Sequence, residues 1–219
     1  MNNQPTAPAE NKDFLTDVLN KTVRFCKQNR KPVIAALVAV IIVIIGVSLY
    51  VNHREQLTEN SWAAYYNAQM ALMSEGPEAG FKKLDEVAVS FTGTPAAAYA
   101  QLLKGNILYA QENFDKAANV FGSLTNAANE TVRTEAALSQ AAALQAAKDY
   151  SGSISVIKNF IEKNSKSFAL PQAYLTLALS QELAGDKTAA LESYKYLLEN
   201  HTKTYFGTLA KDKISQLQK

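Results

Sequence analysis

The chain has 219 residues, a formal net charge of +2 and a single cysteine, which excludes an intrachain disulfide. Residues 1–53 hold six basic and three acidic residues, a charge of +3, which leaves −1 for residues 54–219. Phosphate binding requires a concentrated basic face, so this near-neutral mixture argues against nucleic acid as a partner.

The start of the chain is polar and then amphipathic. Residues 1–12 are rich in Pro and Ala, and we expect them to be disordered. Residues 13–31 predict a helix in which Phe14, Val18 and Phe25 lean to one side, with basic residues between them. This segment either lies on a membrane surface or is a solvated basic flank, and the sequence leaves both alternatives open.

An uninterrupted apolar segment follows. Residues 32–51 contain no charged residue, and about 20 helical residues cross the ~30 Å hydrocarbon core of a bilayer. The run exceeds the ~7–15 apolar residues of a cleaved signal peptide, so we predict a retained transmembrane helix. Cys26 lacks the small neighbours of a lipid-acylation site. Basic residues concentrate before the segment, which predicts a cytoplasmic tail at residues 1–31 and a large domain across the membrane.

The sequence leaves the connection to the large domain undecided. Residues 52–60 form a juxtamembrane connector in this interpretation, and residues 61–219 form the domain. No Gly or Pro occurs between Val47 and Gly76. The membrane helix therefore either continues into the domain or hinges within the connector.

The large domain shows an internal repeat of helix pairs, so the predicted fold class is all-α. Each repeat carries a small residue in its first helix, a second small residue 12 positions later and a large apolar residue four positions after that. The four sets are Ala68, Gly80 and Leu84; Gly105, Ala117 and Phe121; Ala141, Ser153 and Ile157; and Ala178, Ala190 and Tyr194. Small residues let paired helices cross closely, and the large residue fills the space between them.

This pattern resembles the tetratricopeptide repeat over residues 59–202, with residues 203–218 as a capping helix. The resemblance implies an α-solenoid. Two departures stand out: the turn glycine of the family is present only at Gly185, and Pro95 and Pro171 open repeats instead of closing them. The spacing of 36 to 37 residues also exceeds the usual period of about 34.

The whole layout is similar to the bacterial YfgM-type family: a short basic tail, one signal-anchor helix and a tetratricopeptide domain containing "GTPAAAYAQLLKGNILYAQENFDKAANVF". That resemblance implies a single-pass protein of the bacterial inner membrane, with a cytoplasmic N-terminus and a periplasmic C-terminal domain. It also implies an ancillary role at the Sec translocon, with translocon subunits, periplasmic chaperones or exported clients as protein partners.

The sequence offers little for catalysis. His53 and His201 have no histidine partner at helical spacing, and no cysteine follows the apolar segment, which argues against zinc. No glycine-rich phosphate loop follows a strand. We therefore expect neither enzyme activity nor a cofactor.

Protein binding remains, and the first helix of each pair lines the concave face in tetratricopeptide stacks. One helical face of each first helix gives the predicted groove residues: Tyr99, Leu102, Asn106 and Tyr109; Glu135, Leu138, Ala142 and Gln145; Gln172, Leu175, Leu179 and Glu182. Family members that clamp a terminal carboxylate use Lys and Arg here, whereas this chain has none at those places. An extended, partly apolar segment is the predicted ligand.

Two other functions fit the same pattern. The chain could be a structural scaffold of another envelope complex, for division or secretion, or an organellar membrane receptor with a cytosolic tetratricopeptide domain. Cellular crosslinking separates the first alternative, and membrane topology separates the second.

Overall fold

The computed structural model describes residues 10–218, which form ten helices and no strand. The chain divides into two compact units, Met1–Glu55 and Gln56–Lys219. We expected residues 1–12 to be disordered. Residues 1–9 lie outside the described residues, whereas residues 10–12 are helical, because α1 begins at Glu10.

The first unit contains α1 (Glu10–Gln28) and the apolar part of α2 (Arg30–Ser74). Pro32 explains the break between them, because proline has no N–H to donate to the carbonyl of Gln28 and its ring crowds that carbonyl. In the apolar segment the large side chains from Ile34 to Val51 are exposed. Among the described residues, α2 is one helix whose length and composition suit a membrane span.

The juxtamembrane connector predicted at residues 52–60 lies within α2. A single helix is assigned from Arg30 to Ser74, so residues 52–60 contain no break in secondary structure.

The second unit is a stack of helix pairs. The last part of α2 pairs with α3 (Pro77–Ser90), and α4 (Pro95–Ala110) pairs with α5 (Phe114–Ser123). The next pairs are α6 (Glu130–Ala146) with α7 (Tyr150–Lys163), and α8 (Leu170–Leu183) with α9 (Lys187–Asn200). The last helix, α10 (Tyr205–Leu217), packs on α9 and α8 as a cap. These contacts confirm the predicted solenoid with a C-terminal capping helix.

Local capping fixes where most of these helices begin. The side chains of Thr94, Asn129, Asp149, Asp186 and Thr204 each accept a hydrogen bond from the backbone N–H three residues ahead, at 2.9 to 3.3 Å. Such a cap satisfies an N–H that has no partner inside the helix and contributes about 1 kcal/mol.

The turn inside each of the last three pairs has the same backbone conformation. Glu112, Lys148 and Gly185 occupy equivalent positions and have φ values of 61°, 66° and 85°. The next residue in each case donates its N–H to a carbonyl five residues back, over 2.8 to 3.0 Å. The turn geometry of the family is therefore present in all three pairs, although only Gly185 adopts a positive φ without a steric cost.

The predicted register of small and large residues is confirmed. All twelve residues of the four sets are buried, and Leu84, Phe121, Ile157 and Tyr194 are at most 1% exposed. Steric fit accounts for the glycine of the second repeat: a Cβ built on Gly105 would lie 2.5 Å from Cε1 of Phe121. The other first helices place alanine opposite Leu, Ile or Tyr.

Candidate protein-binding site

The first helices of successive pairs lie next to one another, which makes them the inner layer of the stack. Within the second unit, α4 contacts α6, α6 contacts α8, and α8 contacts α10. Among the described residues of this unit, no two of the second helices α3, α5, α7 and α9 approach each other in this way. We call the exposed side of this layer the inner face. The predicted groove residues lie on its helices, and their part in binding stays a prediction.

The predicted residues differ in what they expose. Tyr99 and Tyr109 are 36% and 39% exposed, and three polar residues are exposed as well: Asn106, Glu135 and Gln172. Five more are half-buried: Ala142, Gln145, Leu175, Leu179 and Glu182. Leu102 and Leu138 are buried and pack into the cores of their repeats.

Two of the half-buried polar residues hold neighbouring repeats together. Gln145 donates from Nε2 to Oγ of Ser180 over 3.0 Å, and Ser180 in turn shares a hydrogen bond of 2.8 Å with Ser153. Gln145 and Ser180 lie on α6 and α8, so this chain of hydrogen bonds joins the third and fourth repeats. Because its side chain is engaged in this way, Gln145 contributes to the packing of α6 against α8.

Glu182 has a similar role at the last repeat. It accepts a hydrogen bond of 2.8 Å from the hydroxyl of Tyr194 and bonds of 2.9 and 3.1 Å from Nζ of Lys213 on the cap. Burial is the main cause that raises the pKa of Tyr194 above its ordinary value, and the hydrogen bond and charge of Glu182 add to it. The carboxylate thereby ties α8, α9 and α10 together.

The first repeat contributes an aromatic cluster that sequence reasoning missed. Trp62 lies six residues before Ala68, as Tyr99 lies six before Gly105, so the same register could have identified it. The rings of Trp62 and Tyr99 are 5.7 Å apart between centroids, and Tyr65 meets Trp62 edge-on at the same distance. Burial raises the pKa of Tyr65, with a smaller contribution from Tyr99.

This cluster is accessible at the inner face. The indole of Trp62 is 40% exposed, and the hydroxyl of Tyr65 accepts a hydrogen bond of 3.2 Å from Gln69, which fixes its ring. Tyr109 extends the aromatic surface along α4 and packs edge-on against Phe114 at 5.2 Å. Held rings of this kind offer large contact area at low entropic cost.

Cations near the inner face are already paired. Lys104 of α4 donates to both carboxylate oxygens of Asp85 at 2.7 Å, and Lys213 is bound to Glu182. Glu135 is exposed and accepts a hydrogen bond from Ser139. In the described part of this face the chemistry is aromatic, amide and acidic, which does not suit a ligand carboxylate.

Comparisons with known proteins agree with this architecture. Two solved structures match in fold: nearly identical TPR-like repeats of a candidate kinesin light chain from Podosopora anserina and residues 41 to the end of MamA from Desulfovibrio magneticus RS-1. The first has a TM-score of 0.55 at 12% identity and covers 73% of this chain and 86% of its own. The second has a TM-score of 0.52 at 16% identity and covers 72% and 89%. No curated protein sequence matches this chain.

A family profile decides the assignment. The tetratricopeptide repeat-like domain profile matches residues 23–169, which is more than half of the chain. The paired helices, the buried small and large residues and the repeated turns are what that family requires. The chain belongs to the tetratricopeptide repeat-like domain family.

Proposed function

We propose that this protein is a membrane-anchored module that binds other proteins through the aromatic part of its inner face. The observation that carries the proposal is the cluster of Trp62, Tyr65 and Tyr99, which places exposed rings on two consecutive first helices. Exposed aromatic surface on a rigid scaffold is the usual energetic centre of protein recognition.

The side chains of this face favour an extended, partly apolar segment of the partner. The rings of Trp62, Tyr99 and Tyr109 provide surface for apolar side chains. The exposed amides of Asn106 and Gln172 can donate to and accept from a peptide backbone. Since Lys104 is held by Asp85, affinity depends on stacking and amide hydrogen bonds more than on charge.

The anchor in this proposal is the segment at residues 32–51, which spans a bilayer. Its support is the exposure of every large apolar side chain from Ile34 to Val51, which water would solvate poorly. The family profile begins at residue 23, so the matched region includes this segment. The basic residues before it favour a cytoplasmic N-terminus and a periplasmic repeat domain.

The resemblance to the YfgM-type family supplies the cellular context of the proposal. On that basis the partners are subunits of the Sec translocon, periplasmic chaperones or exported clients, and the membrane is the bacterial inner membrane. The domain then assists export or the transfer of exported chains to chaperones.

Site-specific photocrosslinking in cells tests the partners. A benzoylphenylalanine replaces Tyr99 or Tyr109, and a matched control replaces Phe168, which is 85% exposed in the α7–α8 connection and lies outside the predicted groove. We expect translocon subunits, chaperones or exported chains to be captured from Tyr99 and Tyr109 and not from Phe168. Equal capture from all three positions would refute the groove, and capture of division or secretion subunits would favour the scaffold alternative.

Protease access tests the topology separately. Protease added to spheroplasts should digest residues 60–219 and leave the N-terminal tail intact. Protection of the repeat domain until the membrane is dissolved would refute the periplasmic placement and favour a cytosolic domain.

A further inference from the structure

The short helix α1 has two chemically distinct halves. Along residues 14–28, at about 100° per residue, the apolar side chains fall on one half of the helix and the charged and amide side chains on the other. Thr22 also lies within the apolar half, where its hydroxyl donates to the carbonyl oxygen of Val18 over 2.8 Å. The apolar half consists of Phe14, Leu15, Val18, Leu19, Val23, Phe25 and Cys26. The polar half consists of Thr16, Asp17, Asn20, Lys21, Arg24, Lys27 and Gln28.

Among the described residues, none covers the large apolar side chains of this half. Phe14 is 69% exposed, Leu15 is 62% exposed, and the other large apolar residues of α1 are exposed as well. A helix with so wide an exposed apolar half is unstable in water, because most helical stability comes from packing such a face against something apolar. The width covers about half of the circumference, which exceeds the narrow seam of a coiled coil and suits a continuous apolar medium.

The charged residues of α1 and of the residues that follow it indicate which apolar medium covers the helix. Lys21, Arg24 and Lys27 are exposed on α1, and Arg30 and Lys31 follow it directly. Asp17 pairs with Lys21 at 2.6 Å. With Lys12, Glu10 and Asp13 included, residues 10–31 carry six basic and three acidic residues, a net charge of +3. Lys21 and Lys27 lie at the two edges of the apolar half, and Arg24 lies on the polar half. Their side chains can reach lipid headgroups while the apolar side chains enter the acyl layer.

The chain continuity supports the same partner. The apolar segment begins at Pro32, a few residues after α1 ends at Gln28. Because Pro32 interrupts the helical hydrogen bonding at that point, α1 need not continue along the axis of α2. A helix tethered this closely to a membrane span has a lipid surface within reach at a high effective concentration.

We propose that α1 lies in the plane of the membrane on an anionic lipid leaflet, with Phe14, Leu15, Val18, Leu19 and Phe25 in the acyl boundary and its Lys and Arg side chains on lipid phosphates. The inference rests on the proposed membrane span at residues 32–51. It assigns the N-terminal segment a function of its own, as a second, charge-selective membrane contact beside the span.

Spin labels on the full-length protein test the inference. Cys26 is the only cysteine, so a Cys26→Ser background accepts one label at a time. Labels at Leu15→Cys and Asn20→Cys report the two halves of α1, and Val43→Cys reports the span. The proteins are reconstituted into phosphatidylglycerol or phosphatidylcholine vesicles, and accessibility to oxygen is compared with accessibility to a water-soluble nickel complex.

In phosphatidylglycerol vesicles we expect the Leu15 label to be more accessible to oxygen than to the nickel complex. The Asn20 label, on the opposite half of the same helix, should be more accessible to the nickel complex. In phosphatidylcholine, or at high salt, the Leu15 label should shift toward nickel. If both α1 labels favour nickel in anionic vesicles while Val43 favours oxygen, the inference fails and the span stands. If Val43 favours nickel, the proposed span itself fails. Labels on both halves that exclude both reagents would show docking on protein instead and would also overturn the inference.

Discussion

The contact between Gly105 and Phe121 gives the sharpest test of how the repeats pack. A Cβ at Gly105 would lie 2.5, 2.8 and 2.9 Å from Cε1, Cζ and Cδ1 of Phe121, well inside the ~3.5–4.0 Å of a favourable carbon contact. The third repeat solves the same geometry with Ala141 opposite Ile157, and both side chains are fully buried. The fourth repeat accommodates Ala178 opposite the ring of Tyr194, so glycine is required in α4 by the close approach of the Phe121 ring and not by its aromatic character.

The expected change in the free energy of unfolding on Gly105→Ala follows from two opposed effects. Gly105→Ala gains about 1 kcal/mol of helix propensity, and it loses about 1–3 kcal/mol through overpacking. We expect a net loss of about 1 kcal/mol in the free energy of unfolding. Phe121→Leu costs less than the ~3–5 kcal/mol of a Phe→Ala truncation, because leucine refills part of the space. In the double variant the new methyl group enters the space that the ring vacated, so the two losses should not add, and the coupling should be about 1 kcal/mol or more.

Urea unfolding of the full-length protein in detergent, followed by circular dichroism at 222 nm, measures the cycle. Helix stacks depart from two-state behaviour, so the transition midpoints of all four proteins are compared under identical conditions. Asn106→Ala is the matched control, since it alters the exposed neighbour of Gly105 on the same helix. A Gly105→Ala midpoint at or above that of the unmodified protein, with additive effects in the cycle, would refute the steric argument.

Three further predictions concern a turn, the last repeat and the inner face. Lys148→Gly should stabilise the protein by about 1 kcal/mol, because its backbone has φ 66° and glycine adopts that conformation without a Cβ clash. Tyr194→Phe should make the loss of stability above pH 10 shallower: the pKa of Tyr194 is raised by folding, so its contribution is complete below the unfolded value of 10.0 and declines as pH rises beyond it. Binding of a partner peptide should shift the fluorescence of Trp62, the single tryptophan, and Tyr99→Ala should reduce that shift.

Each of these has a direct control. Gly185→Ala, at the equivalent turn position with φ 85°, should be destabilising, and a stabilising result there would contradict the turn argument. For Tyr194→Phe the control is the range well below the unfolded value of 10.0, where stability should change with pH in the same way as in the unmodified protein. If Tyr99→Ala and Phe168→Ala alter the Trp62 response equally, the response does not report the inner face.

The packing register was predictable because its cause is local in sequence. A small residue and the large residue it admits lie 16 positions apart within one helix pair, as in Ala178 and Tyr194, and both are fully buried. Turn conformation was less predictable, because Glu112 and Lys148 adopt a positive φ that side-chain identity disfavours. At these two turns the packing of the flanking helices determines the backbone φ angle.

The inner face was harder to predict for two physical reasons. Helical periodicity selected Tyr99 and Leu102 together, but the depth at which neighbouring helices pack decides that one is exposed and the other buried. The ties of Gln145 to Ser180 and of Glu182 to Lys213 join residues 35 and 31 positions apart, beyond what one repeat reveals. Trp62 was missed because the first repeat begins in the helix that also carries the apolar segment.

The stacked architecture also has a mechanical consequence. Each helix pair is held chiefly by its neighbours, and the last is closed by α10 through the ion pair of Lys213 with Glu182. Under tension applied from the C-terminal end, this closure is the first contact to part, and the pairs behind it then release one at a time. Successive repeats begin 36 or 37 residues apart, so each release would lengthen the chain by about 120 Å. Such a domain unfolds under force in discrete steps of one helix pair each.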